Sequence, residues 1–402
     1  MNTQQITIKT DMNKIEDILT RGVAAIYNTD ELKELLLSGK QLHLKLGTDV
    51  TSPLIHLGHA VTHRKLRDFQ ELGHKVTLII GDYTTLIGDH SDKVDMREER
   101  TIEAIREDEQ TYKEQFFKTV INDPQLIEIR HNSEWLGKLS FNDIIHLAKQ
   151  FTVAQMIERE NFKLRFESGK PIKLSEFLYP LMQGYDSVVL NCDVEFGGTD
   201  QTFNILAGRH LMEVYGQKPQ IGFIVKLLTG NDGRKMGKSL KNFIPVAAEA
   251  DEMYSMVMQI VDEVIIEYFE LITRVPMEEI AEIESRMKSG ENPMIFKKRL
   301  AFEIVNFYHG KEAAERAQAE FERVVQNKEL PKDIKSLLIE KNKNVVDTLV
   351  TAFGLSKSQA KRLIDQKAVT FEDETITTYD YEIEKSGILR AGKKKIIHIA
   401  TK

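Results

Sequence analysis

The segment His56-Leu57-Gly58-His59, with His63 one turn further on, gathers three imidazoles in a short stretch. If a helix starts here, its free N–H groups and partial positive charge already favour phosphate, and the imidazoles of His56 and His59 add donors. Gly58 would let a flat base approach the backbone. The same residues could instead be solvated helix positions or a three-histidine metal face, because a His-x-x-His spacing alone is weak evidence. A second candidate is Gly233-Arg234-Lys235-Met236-Gly237-Lys238-Ser239, with Gly230 just upstream. The glycines free the loop to move, and Lys235 and Lys238 can grip a polyphosphate and neutralise charge developing on a leaving group. Taken alone, this segment reads more readily as an exposed basic surface loop.

These residues need elements to hold them. Leu42, Leu44 and Leu46 alternate with His43 and Lys45 and end at Gly47, the period-2 signature of a strand running into a turn. After a loop through Asp49, Thr51 and Pro53, apolar residues at Leu57, Val61, Leu66, Phe69 and Leu72 take up helical spacing. That helix should stop at Gly73 with a left-handed cap. The β-branched run at residues 76–80 then suits a parallel strand buried on both faces, completing a strand–helix–strand unit. Charged helical stretches occupy residues 96–120 and 141–167, and a second strand–helix–strand pattern with Gly197-Gly198 covers residues 185–225. Such crossovers imply an open parallel sheet. Helical patterns follow at residues 249–258, 264–272, 277–287 and 293–308, and residues 327–343 read as a charged linker.

The expected architecture is therefore α/β, in three parts. A Rossmann-like nucleotide-binding domain over residues 1–245 carries an inserted helical segment and the lysine loop. An α-helical domain follows at 246–331, and a small α+β domain at 335–402. A chain of 402 residues with 41% hydrophobic content has material for two to four such domains. A single cysteine, Cys192, excludes an intrachain disulfide and any thiolate cluster, so no resident metal is expected. The absence of a long uncharged apolar run, and of a basic-then-apolar start, points to a soluble cytoplasmic protein without membrane association.

Together the two signatures gain specificity. His-Leu-Gly-His early in a nucleotide-binding fold and Lys-Met-Gly-Lys-Ser after its last strands resemble the paired motifs of class I aminoacyl-tRNA synthetases. Gly81, Gly88-Asp89 with Lys93 and Arg97, the stretch from Tyr179 through Gln183 to Asp186, and Gly197-Gly198-Thr199-Asp200-Gln201 resemble the tyrosyl branch. The resemblance covers the whole chain. It implies an ATP-using ligase that takes Mg-ATP as substrate, makes an aminoacyl adenylate and loads tyrosine onto tRNA(Tyr). It assigns Asp89, Tyr179, Gln183 and Gln201 to the ammonium and carboxylate of tyrosine, and Asp186, with Gln183 nearby, to its hydroxyl. Asp49, Thr51, Gly58 and Asp200, with His56, His59, Lys235 and Lys238, are given to ATP. His56, His59, Lys93, Arg97, Lys235 and Lys238 would stabilise charge during the reaction. Family members are homodimers. Tryptophanyl-tRNA synthetase, which would want a partner for an indole N–H, and an inactive RNA-binding paralogue are the competing readings.

Three positions depart from the family pattern. Lys45 stands where many bacterial tyrosyl enzymes have a tyrosine that shares the substrate hydroxyl, so hydroxyl recognition should rest more on Asp186. Val50 and Thr48 replace a proline and a bulky residue in the first loop, and Gly237 replaces a serine.

Charge is also unevenly spread. The net charge is −7, yet residues 335–402 carry 13 Lys and Arg against 9 Asp and Glu, leaving 42 against 53 in the remainder. Only the tail is basic enough to meet phosphates. It resembles an S4 RNA-binding domain: Ser356 and Gln359 form a capping box, Lys357, Lys361 and Arg362 share one helix side, and Lys393, Lys394 and Lys395 precede a last strand.

Overall fold

The computed structural model describes residues 6–88, 101–237, 240–326, 336–392 and 395–402. It divides into two compact units, residues 1–318 and 319–402. Among the described residues no helix is long and apolar enough to cross a membrane.

The first unit is built on six strands: β1 (Val23–Tyr27), β2 (His43–Thr48), β3 (Lys75–Ile80), β4 (Ile127–His131), β5 (Val194–Gly198) and β6 (Ile221–Val225). Their order across the sheet is β1-β6-β5-β2-β3-β4, all parallel except β1 against β6. From β2 the chain steps outward to β3 and β4, then returns to place β5 on the other side of β2. That reversal opens a crevice beyond the carboxyl ends of β2 and β5, where open α/β sheets bind ligands.

The helix after β2, Leu57–Glu71, starts at His56 and ends as its glycine predicts: Gly73 has φ +100° and the His74 N–H donates back to Phe69 O. Its inner side joins Phe69 edge-on to Phe196 of β5 and Phe223 of β6. Alternation in β2 does not give a polar face. Lys45 is fully buried, because β2 lies centrally and successive residues Leu44, Lys45 and Leu46 are buried on both of its faces, so its charge is neutralised inside the protein instead of in solvent.

Helices Ala250–Val257, Ile265–Ile272, Met277–Lys288 and Pro293–His309 follow the expected periodicities closely, and they fall in the same compact unit as the sheet. Two guanidinium groups fasten them. Arg21 donates to the carbonyls of Phe269, Glu270, Thr273 and Val275 at 2.7–2.9 Å, and Arg64, on the helix that begins at His56, donates to those of Ile272 and Thr273. These carbonyls lie in and just beyond the last turn of the Ile265–Ile272 helix, where backbone partners run out, although Phe269 O also accepts from Thr273 N and Oγ1. Burial pushes the Arg64 guanidinium down to about 10.

The second unit has helices Val345–Phe353 and Lys357–Asp365 against a five-stranded sheet in the order Glu374–Thr375, Val369–Phe371, Gly387–Ala391, Lys395–Thr401, Ser336–Ile339. Leu349, Ala360, Ile364, Phe371, Leu389 and Ile399 form its core. The capping box is present, with Ser356 Oγ accepting from Gln359 N and Gln359 Oε1 from Ser356 N.

Candidate active site

The crevice at the β2/β5 reversal holds a cleft of about 280 Å³, close to the lower bound for a small-molecule site. Asp49, Thr51, Gly58, His59, Tyr179, Gln183, Asp186, Asp200 and Gln201, which come from well-separated stretches of the chain, all line it. His56 stands behind His59, the rings stacked at 3.8 Å. The His56 N–H donates to His59 Nδ1 at 3.2 Å, so His59 carries its own proton on Nε2 and brings a donor to the cleft. His63 is no solvated helix residue: its ring is buried edge-on to Phe116, and burial pushes it down to about 3.

Asp49 follows β2 and is held by Tyr179 Oη at 3.0 Å and Thr84 Oγ1 at 2.9 Å. A side chain on Gly81 would fall on the contact between Asp49 and Thr84, so that glycine is a packing requirement of the carboxylate. Asp200 and Gln201 follow β5, where a side chain on Gly197 would strike Gln201 Cβ at 2.7 Å.

At the apolar end, Asp186 is buried on the Leu178–Leu190 helix. Its oxygens accept from Trp135 Nε1 at 2.8 Å and Asn132 Nδ2 at 3.4 Å. Burial raises the carboxyl to about 7, against the opposing pull of the Lys45 charge and of these two donors. Gln183, expected to act beside Asp186, donates instead to Glu195 Oε1 at 3.1 Å. Glu195 pairs in turn with Lys45 at 2.9 Å, both fully buried. Burial pulls the Lys45 ammonium down, but the charges of Glu195 and Asp186 outweigh it, and the net shift is upward.

Lys235 lies on an exposed loop braced by Asn242, whose Nδ2 donates to Lys235 O at 3.1 Å and Asp232 Oδ1 at 2.8 Å while its Oδ1 accepts from Gly237 N at 2.9 Å. Asn242 and then Arg234 hold the Asp232 carboxyl down to about 2. Neither Lys235 nor Met236 lines the cleft, but Met236 packs against Gly58, which does: a side chain on Gly58 would lie 2.8 Å from Met236 Sδ and 3.0 Å from the His56 ring. Asp89, Lys93, Arg97, Lys238, Lys393 and Lys394 lie outside the described residues. In the second unit, Lys357 and Lys361 are exposed, the first paired with Asp347 at 3.0 Å and the second 5.3 Å above the Tyr379 ring. Arg362 is exposed beside them, and Lys395 is half-buried against Phe353.

Trp135, Asn132 and Glu195 are the site residues that motif reading passes over. For Glu195 a signal existed: a lone carboxylate inside an apolar strand, matched by a lone lysine inside another, and the register sets Lys45 opposite Glu195.

A family model described as tRNA synthetases class I (W and Y) matches residues 37–326. The chain is 46% identical over 388 residues to a tyrosine–tRNA ligase of Dehalococcoides mccartyi, covering 95% of this chain and 98% of that one. It is 47% identical to a tyrosine–tRNA ligase of Moorella thermoacetica, covering 96% and 95%. Among solved structures it resembles the C-terminally truncated mitochondrial tyrosyl-tRNA synthetase of Aspergillus nidulans (TM-score 0.63, 22% identity, covering 77% of this chain and 94% of that one). It also resembles the Archaeoglobus fulgidus tyrosyl-tRNA synthetase complexed with L-tyrosine (TM-score 0.61, 21% identity, covering 77% and 100%).

Proposed function

Since the chain belongs to the class I tRNA synthetases of the tryptophanyl and tyrosyl branch and is a tyrosine–tRNA ligase, we propose that the β2/β5 cleft is where it activates tyrosine. The observation that supports this most is the convergence of Asp49, His59, Tyr179, Gln183, Asp186, Asp200 and Gln201 on one cleft.

In this reading the phenol enters toward Asp186, whose carboxylate accepts its O–H. The tyrosine carboxylate attacks the α-phosphorus of ATP in line, forming the acyl–phosphate bond as the bond to pyrophosphate breaks. No side chain serves as nucleophile. His59, backed by His56, donates to phosphate oxygens at the helix N-terminus, and Lys235, with Lys238, Lys93 and Arg97, meets the departing pyrophosphate. Positioning and charge stabilisation therefore carry the catalysis. Magnesium travels with the triphosphate as part of the substrate. The adenylate is then consumed by the terminal ribose hydroxyl of tRNA(Tyr), held in part by the basic face of the second unit. The protein works in the cytoplasm and as a homodimer, and the exposure of Phe141, Val153, Phe166 and Leu174 supports the second of these by leaving apolar surface for a partner to cover.

ATP–pyrophosphate exchange tests the amino-acid assignment. Tyrosine should outperform phenylalanine by on the order of 10⁴ to 10⁵, a magnitude taken from tyrosyl enzymes themselves and not from this cleft's geometry. Comparable rates with phenylalanine or tryptophan would refute it.

A further inference from the structure

We propose that Lys45 and Glu195 are positioning residues that set the hydrogen-bonding sense of the amino-acid pocket, so that Gln183 turns its amide oxygen, an acceptor, toward the substrate. The inference rests on the reading that this cleft takes tyrosine. All four neighbours of Glu195 are donors. Lys45 Nζ at 2.9 Å and Gln183 Nε2 at 3.1 Å meet Oε1, while Ser187 Oγ at 3.2 Å and Gln220 Nε2 meet Oε2. Lys45 is in turn saturated, with Ser187 Oγ at 2.6 Å and Gln183 O at 3.1 Å as its other acceptors. A carboxylate ringed by donors, one of them a buried ammonium, meets all of them as an acceptor.

The amide of Gln183 consequently has no choice of orientation. Its NH₂ must face Glu195, and its Oε1 accepts no hydrogen bond from the described residues and is not among the buried polar atoms. Because Gln183 lines the cleft, that oxygen is what the amide offers there. An acceptor suits only the donors of tyrosine, its ammonium or its phenolic O–H, and repels its carboxylate. Lys45 and Glu195 do not line the cleft, so they act through Gln183.

The experiment compares tyrosine with tyramine, which keeps the ammonium and the phenol but has no carboxylate. In the double variant Lys45→Met/Glu195→Met both charges leave together, a replacement that buried ion pairs commonly tolerate. The KM for tyrosine and the inhibition constant of tyramine should rise by the same factor, about tenfold for one lost oriented hydrogen bond, with kcat and the KM for ATP within about twofold. Glu195→Gln keeps one acceptor oxygen for Lys45 and Gln183. It should show a smaller rise, about threefold and again equal for both ligands, which serves as the test should the double variant not fold. A rise for tyrosine with tyramine unmoved, a parallel rise for ATP, or no rise at all would overturn the proposal. Wild-type exchange is run alongside: failure to activate tyrosine there would count against the cleft assignment itself, and intact exchange isolates the positioning role.

Discussion

Asp186 shows how a single side chain can set opposing demands on binding and folding. Its two oxygens already accept from Trp135 and Asn132, so a phenol must join as a third donor to a carboxylate, and protonation would place a competing hydrogen there. With burial raising the group to about 7, kcat/KM for tyrosine in exchange should fall as pH drops below about 7, approaching tenfold per pH unit. Stability runs the other way. The folded protein holds this proton more tightly than the unfolded chain, whose carboxyl titrates near 3.8, so the contribution is complete below that value and is lost as pH rises through about 7. Buried His63 and His74, pushed down to about 3 and about 4, oppose that slope: they favour the fold above their ordinary 6.5 and cease to do so as pH falls through their lowered values. The quantity to read is therefore the difference between wild type and Asp186→Asn. The wild-type urea midpoint should fall relative to that of the variant as pH rises from about 5 to about 8, and the variant's residual tyrosine dependence should lose its acid limb. An acid limb that survives in Asp186→Asn would assign the titration to another group.

Among the elements, the lysine loop shows how a flexible segment is given a definite shape. Gly230 sits against Asn242 so closely that any side chain there would overlap its amide, and that amide braces Asp232, Lys235 and Gly237 at once. Gly230→Ala should therefore displace the loop and slow adenylate formation in single-turnover assays by roughly 10- to 100-fold, part of what such a charge-stabilising contact contributes. Tyrosine affinity by equilibrium titration should stay within about twofold, since the loss belongs to the chemical step. Weakened tyrosine binding at an unchanged single-turnover rate would make the loop a structural support of the pocket. The loop was recognisable in sequence because its glycines and lysines are adjacent, and the helices from Ala250 to His309 were legible because helical periodicity is local. The pairing beneath the pocket was not. Lys45 and Glu195 are 150 residues apart, and only the return of β5 beside β2 makes two isolated charges a buried pair, which the local alternation in β2 cannot reveal. Trp135 and Asn132 escaped notice for the same reason, being ordinary residues until the fold brings them 2.8 and 3.4 Å from Asp186.

For the whole molecule, charge and compactness divide the chain in the same region. The residues proposed to meet tyrosine and ATP all precede Asn242, in the unit that ends at Gln318, whereas the net positive charge lies in residues 335–402. The second unit has its own apolar core and its own sheet, with Lys357, Lys361 and Arg362 on its exposed helix side. A chain ended after Gln326 keeps every element that lines the cleft, so exchange with tyrosine should stay within a few-fold of the full-length rate while charging of tRNA(Tyr) falls sharply. Phosphate contacts release counterions, so tRNA affinity of the full chain should fall by about 0.7 to 0.9 log units per log unit of salt for each contact made. Replacing Lys361 and Arg362 by alanine together should lower that slope by about two contacts' worth without altering exchange. The two arms check each other: a shortened chain that charges tRNA as well as the full one would place recognition in the first unit, and a salt slope unmoved by the double replacement would take this helix face out of the RNA contact.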